Sequence, residues 1–234
     1  MWRTTIRHGR VSAIGSARPG APRGALTLFV VSLLCALLLP TGKAQGQTFG
    51  ILGGATYAKI NVSPDEFLNL FFEPRLAPAV GVFVRLPIST RLSIEPEFLV
   101  DSKGSQLDFE SIHESIRLTY AEVPVLLRYT PPPDSPLHFL RILGGPYAGW
   151  LLEATSQSRD AERRTSLGSA IQTFDFGWVG GLGVHIAGTD VDVRYGGSIT
   201  DISRRADLNL GYPGTDGVKY RNRTFTILVR RLLW

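Results

Sequence analysis

The chain has 234 residues, enough for one sizeable domain or two small ones. Its formal charge of +5 would point to nucleic acid or an anionic membrane, but the charge is unevenly spread. Residues 1–44 hold six of the 25 bases and none of the 20 acids, which leaves 19 bases against 20 acids beyond them. The single cysteine, Cys35, lies in the same segment, which excludes a disulfide scaffold and a Cys-based zinc site. With 44% hydrophobic and 19% charged residues, the chain is not of the disordered class.

In chain order, the first element is a leader. Five arginines precede the apolar run Ala25–Leu39, which is closed by Pro40-Thr41-Gly42. A spanning helix needs about 20 apolar residues, so this shorter run reads as the core of a secretory signal peptide over residues 1–44. Cleavage after Ala44 or after Gly46 would satisfy the small-residue rule, with an uncleaved N-terminal anchor as the alternative. Cys35 does not suit a lipoprotein site, because Leu34 stands where a small residue is wanted.

Beyond the leader the recurring pattern is alternation with a period of two, rich in Val, Ile, Phe, Tyr and Gly. It predicts eight strands, roughly at 48–60, 76–86, 91–102, 116–129, 137–154, 173–187, 190–202 and 220–234. The connections alternate in length. Short ones at 87–90, 130–136 and 188–189 carry turn residues, while 61–75, 103–115, 155–172 and 203–219 are long and polar or charged. One rim of tight turns and one of long loops is the build of an outer-membrane barrel. The expected fold is therefore all-β, an eight-stranded antiparallel up-and-down transmembrane β-barrel over residues 48–234.

The faces of the strands agree with lipid outside and a polar lumen. The third strand sets Leu92, Ile94, Phe98 and Val100 against Ser93, Glu95, Glu97 and Asp101. The sixth sets Phe174, Phe176, Trp178 and Leu182 against Asp175, Gly177, Gly181 and Gly183, and the seventh sets Val191, Val193 and Tyr195 against Asp192 and Arg194. The fifth puts Ile142, Ala148, Trp150 and Leu152 opposite Arg141, Tyr147 and Glu153. Charges of both signs on the polar face must pair when buried. We expect a structural lumen network of Glu95, Glu97, Glu122, Arg128, Arg141, Asp175, Asp192 and Arg194, with Arg230 as a further cation. Arg230 and Arg231 are adjacent, so one of them faces lipid and must snorkel to an interface. An eight-stranded lumen is just wide enough to be filled by side chains. Tyr57, Phe83, Tyr129, Phe139, Trp150, Trp178, Tyr195 and Trp234 lie mostly near strand ends, as interfacial girdles would place them.

Several stretches carry a family resemblance. They are Gly53-Gly54-Ala55-Thr56-Tyr57, Leu92–Phe98 leading to Ser102-Lys103-Gly104, and Leu118–Leu127 (LTYAEVPVLL). Gly144–Gly149 (GGPYAG), Asp175-Phe176-Gly177 with Gly180–Gly183, and Asp192-Val193-Arg194-Tyr195 follow in order. In that order they resemble the PorT-type outer-membrane β-barrel family of Gram-negative bacteria over essentially all of 48–234. The resemblance implies residence in the cell outer membrane and a C-terminal aromatic insertion signal. Members usually end in Phe; here the position is Trp234. One branch of that family is linked to protein secretion, and nothing in this chain places it there.

No catalytic, cofactor or metal site emerges. His113, His138 and His185 are far apart and lack metal-ligand spacing. His113 with Glu114 and Ser115 is the nearest approach to a Ser-His-acid group, and His185 reads as lumen filling. The Gly177–Gly183 cluster lies in a strand pattern with no helix after it, unlike a dinucleotide loop. Expected partners are outer-membrane lipid, the barrel-insertion machinery and a protein partner at the long loops 61–75, 103–115, 155–172 and 203–219. No nucleic acid is expected, and the barrel is expected to be a monomer. The expected role is structural or interactive. A lipid-modifying barrel enzyme, a soluble periplasmic lipocalin-like carrier and a narrow channel are the alternatives.

Overall fold

A computed structural model describes residues 46–63, 70, 72–109, 112–158, 164–203 and 219–233. The leader, Trp234 and residues 204–218 of the last long loop lie outside these, as do residues 64–69, 71, 110–111 and 159–163. The strands are β1 (Thr48–Ser63), β2 (Phe72–Pro87), β3 (Leu92–Phe109), β4 (Ile112–Tyr129), β5 (Leu140–Ser158), β6 (Arg164–Ser166), β7 (Phe174–Ile186), β8 (Thr189–Ser198) and β9 (Lys219–Leu232). Neighbours in sequence pair antiparallel, except that β7 pairs with β5 rather than β6, and β1 pairs with β9 from Gly50↔Leu232 to Ser63↔Lys219. Pairing of β4 with β5 completes the ring. The result is a closed, eight-stranded antiparallel barrel, with the short β6 as a separate outer segment on β5.

The turns follow local chemistry. Ile186 pairs with Thr189, so the β7–β8 connection is Ala187-Gly188 rather than Gly188-Thr189. Both residues have positive φ, 49° and 78°, the signature of the tight hairpin turn whose twist matches the flanking strands. At 88–92 the amides of Ile88 and Ser89 both donate to the Leu92 carbonyl.

Apolar side chains face outward over a band whose limits are marked by charge. On β9 Phe225, Ile227 and Val229 point out between Arg223 and Arg231. Eight steps along a strand tilted by about 40° correspond to about 20 Å of height, the scale of an outer-membrane hydrocarbon band. Of the adjacent arginines, Arg230 is 1% exposed inside the barrel and Arg231 faces out at the rim. An Ile227→Arg change should therefore cost about 2–4 kcal/mol of folding free energy into lipid vesicles. Arg231→Ala should shift it by less than about 0.5 kcal/mol. Denaturant titrations in vesicles measure both, and equal costs would show that the band is misplaced. Tyr57, Phe225 and Tyr195 stand side by side in register at its upper edge, and Tyr195 packs on Trp178 at 5.8 Å. Phe83 does not belong to a girdle: it is buried in the lumen.

Above that edge the strands continue, and their polarity inverts. On β1 Lys59, Asn61 and Ser63 face out while Ala58, Ile60 and Val62 face in. On β4 Arg117 and Thr119 face out while Ile116 and Leu118 face in. Ile60, Val62, Ile116 and Leu118 join Phe72, Tyr120, Ala154, Ile171, Ile202 and Tyr220 in an apolar cluster at the outer end. Ile171 comes from the segment after β6, which bridges Ser203, and the Gln172 amide donates to the Ile202 carbonyl. This corrects three expected loops. Most of 103–115 is strand, and β1, β2, β5 and β6 reach into 61–75 and 155–172, because outward polar residues there alternate with inward ones that are in large part apolar, as in a water-soluble sheet. A register shift in β5 opposite Thr119/Tyr120 turns Glu153 outward, against its expected lumen position.

Candidate functional site: a polar lumen in two tiers

Inward positions of the strands bring the charged residues together in two groups. The lower tier, toward the short turns, holds Arg85 (β2), Glu95 and Glu97 (β3), Arg128 (β4), Asp190, Asp192 and Arg194 (β8) and Arg230 (β9). Glu95 is its hub: Oε2 accepts from Arg128 Nε at 2.9 Å and Arg230 Nη2 at 2.8 Å, and Oε1 accepts from Arg85 Nε. Arg194 makes a bidentate pair with Glu97 at 2.6 and 2.9 Å and reaches Asp192 Oδ2 at 2.8 Å. Asp192 Oδ2 also accepts from Arg128 Nη2 at 2.6 Å and Arg230 Nη1 at 3.2 Å. Arg85 Nη2 donates to Asp190 at 2.8 Å, and the Arg230 guanidinium lies over the Phe83 ring at 3.9 Å. Four guanidiniums thus face four carboxylates, an arrangement in which planar, bidentate arginine holds several oxygens at once.

The upper tier is centred on Lys103, 2% exposed on β3. Its ammonium pairs with Glu122, donates to Asp175 Oδ2 and Tyr147 Oη at 3.2 Å each, and lies 4.3 Å from the Tyr147 ring centre. Asp175 also accepts from Asn222 Nδ2 at 3.2 Å and Thr200 Oγ1 at 2.9 Å. Asp101 is buried nearby, and Thr56 and Thr226 share a hydrogen bond of 3.1 Å across β1 and β9. Leu52, Ala79, Leu99 and Leu228 pack with Phe83 as an apolar layer inside the barrel. Small residues make the room. A Cβ at Gly177 would stand 2.4 Å from the Tyr147 ring, and one at Gly183 would stand 2.3 Å from Asp192 Oδ1.

The lumen therefore brings together Glu95, Glu97, Glu122, Arg128, Asp175, Asp192 and Arg194. Arg141 is not among them. It has the right parity, but it is the second residue of β5, and its Nη1 turns to the carbonyls of His138 and Leu140 at the rim. Sequence reasoning placed Tyr147 on the lumen face without naming it in the network, and missed Arg85, Lys103, Asp190 and Asn222. For Arg85 and Asp190 the signal was inward parity near a strand end; for Lys103 it was hidden by the expected loop. Trp234 lies outside the described residues, as does the side chain of His113. His185, 46% exposed, bonds Asp190 Oδ1 through Nδ1 at 2.6 Å at the short-turn rim. Among the described residues, no group of three or more His, Cys, Asp or Glu could hold a metal ion.

On the outer wall, above the apolar band, Lys59, Arg75, Arg117, Lys219, Arg221 and Arg223 face outward on β1, β2, β4 and β9. Partial burial and the positive charge of Arg117 hold the Arg75 guanidinium below its ordinary pKa. The Arg75 Nη1 donates to Ser102 Oγ at 3.2 Å.

A closed eight-stranded barrel with an apolar outer band and ion-paired lumen defines a class, the outer-membrane β-barrel. The chain belongs to the outer membrane protein beta-barrel domain family, whose profile matches residues 43–204, and it resides in the outer membrane. Among solved structures it is similar to Neisserial surface protein A, with 13% identity and a TM-score of 0.44, over 80% of this chain and 99% of that one. It is similar also to Ail, the attachment invasion locus protein of Yersinia pestis, with 11% identity and a TM-score of 0.39, over 78% and 98%. A second structure of Ail, in complex with the heparin analogue sucrose octasulfate, gives 12% identity and a TM-score of 0.41, over 79% and 98%. No curated protein matches the sequence.

Proposed function

We propose that this barrel is a non-conducting outer-membrane scaffold that presents its outer extension and long loops to a partner at the cell surface. The observation that carries this reading is the inversion of polarity above the apolar band. Strands that leave the membrane with apolar residues inside and polar residues outside form a rigid, water-facing stalk under the loops. The apolar cluster closes the outer end. Below it, the space beside Asp101, Lys103 and Arg194 is about 30 Å³, room for only a water-sized occupant. Planar-bilayer recordings should show no steady single-channel conductance. A reproducible open level would overturn the filled-lumen part of the proposal.

The leader 1–44 is proposed to direct export, and Trp234 to be read by the insertion machinery. The finer PorT-type assignment rests on the motif order described above. A lipid-modifying enzyme is the competing reading. His113→Ala should leave lipid A and phospholipid profiles of outer membranes unchanged, and a lost modification would favour the enzyme instead.

A further inference from the structure

A second polar feature lies outside the balanced lumen network, at the mouth on the short-turn rim. A pocket of about 180 Å³ is lined there by Arg85, Arg91, Arg128 and Arg141, with hydroxyl-bearing residues such as Ser89 and Thr130. Among the described residues, no carboxylate lines it. Arg85 and Arg128 are neutralised from behind by Glu95, Asp190 and Asp192. Arg91 and Arg141 are not: neither pairs with an acid among the described residues, and Arg141 spends only Nη1 on backbone carbonyls. Arg128 is 2% exposed, and its buried Nη1 makes no hydrogen bond but lies 3.6 Å from Asp190 Oδ2, so it is the least available of the four. The lower tier is charge-balanced, so the two rim arginines leave this mouth with a local excess of about two positive charges.

We propose that this pocket is a binding site for an oxyanion of the phosphate class. Guanidinium groups bind phosphate oxygens with paired, charge-assisted hydrogen bonds. Here the arginines come from four neighbouring places along one arc of the rim, β2, the 88–91 turn, β4 and β5, so several cations converge on one occupant. An anion with three or four oxygens can engage more of these donors at once than a carboxylate with two. The short-turn rim faces the periplasm in barrels of this class. Two sources can present the same chemistry there, free phosphate or the headgroup of an inner-leaflet phospholipid.

The test uses the full chain recovered from outer membranes in detergent, in a buffer free of phosphate. Titration calorimetry with inorganic phosphate, and with acetate as comparator, should show saturable binding of phosphate that is weakened about tenfold or more in the Arg91→Gln/Arg141→Gln variant, a change of about 1.4 kcal/mol. In that case the ligand is free phosphate. If inorganic phosphate does not bind, lipid nanodiscs analysed by mass spectrometry should show retention of phosphatidylglycerol over phosphatidylcholine, lost in the same variant, and the ligand is a headgroup. Neither substitution touches the Glu95 or Lys103 clusters, so the heat-dependent gel shift of a folded barrel should persist. Should the double variant not fold, Arg91→Gln alone, on an exposed turn, carries the comparison. Absence of both kinds of binding, tighter binding of acetate than phosphate, or binding unchanged in the folded variants would overturn the proposal.

Discussion

Replacing Glu95 with alanine is expected to lower the folding free energy in detergent or lipid vesicles by about 3–5 kcal/mol, the cost of breaking a buried ion-pair network by removing one partner. Glu95 accepts from Arg85, Arg128 and Arg230, and all its contacts lie inside the barrel. Without it three guanidiniums converge on a site that has lost its carboxylate, and the tier carries a net positive charge inside the barrel. Desolvation then acts on four cations that share only the three carboxylates of Glu97, Asp190 and Asp192. Arg141→Ala, at the rim, should change stability by less than about 0.5 kcal/mol. Urea midpoints read by heat-modifiable migration measure both. Similar, small shifts for the two would mean that the lumen is hydrated enough for its charges not to need one another.

Lys103→Ala should be comparably severe, about 3–5 kcal/mol, for the opposite electrostatic reason. It removes the ammonium that faces Glu122 and Asp175, with Asp101 also buried nearby, and leaves carboxylates confronting one another. A Lys103→Ala/Asp175→Asn double variant should recover part of the loss, because one of the repelling charges goes with it, and the cycle isolates the coupling between the two. A loop lysine in solvent would cost less than about 0.5 kcal/mol when truncated. The same measurement therefore separates the extended strand β3 from the expected loop at 103–115. A cost near zero would place Lys103 in solvent.

The contrast between these two residues shows what could be read in advance. Glu95 sits mid-strand between Ile94 and Pro96, where alternation is clean and a charge on the minor face can only point inward. Lys103 follows Asp101 and Ser102 and precedes Gly104 and Ser105, a run that looks like loop by composition. It is strand because it pairs with Leu118 on β4, and composition does not report pairing. Arg141 shows the opposite error. Parity placed it in the lumen, but parity carries no information on height, and at the strand's start the nearest acceptors are turn carbonyls. Arg230 and Arg231 could be divided between lumen and interface only as alternatives. The pairing Leu52↔Arg230 resolves them, because Leu52 is an inward position of β1.

The charge of the chain is divided by position. The excess positive charge of the whole chain belongs to its first 44 residues, and the near-neutral remainder is organised by face and height. By itself the sequence determined the alternation of apolar and polar faces, the number of barrel strands and the rim of short turns, since each is a local pattern written along one strand at a time. Only the tertiary structure decided where the membrane band ends, which charges meet, and that polarity inverts above the band to build an apolar closure. Those depend on the register between strands distant in the chain. A shift of one residue in register exchanges inside for outside without altering the alternation from which it was read.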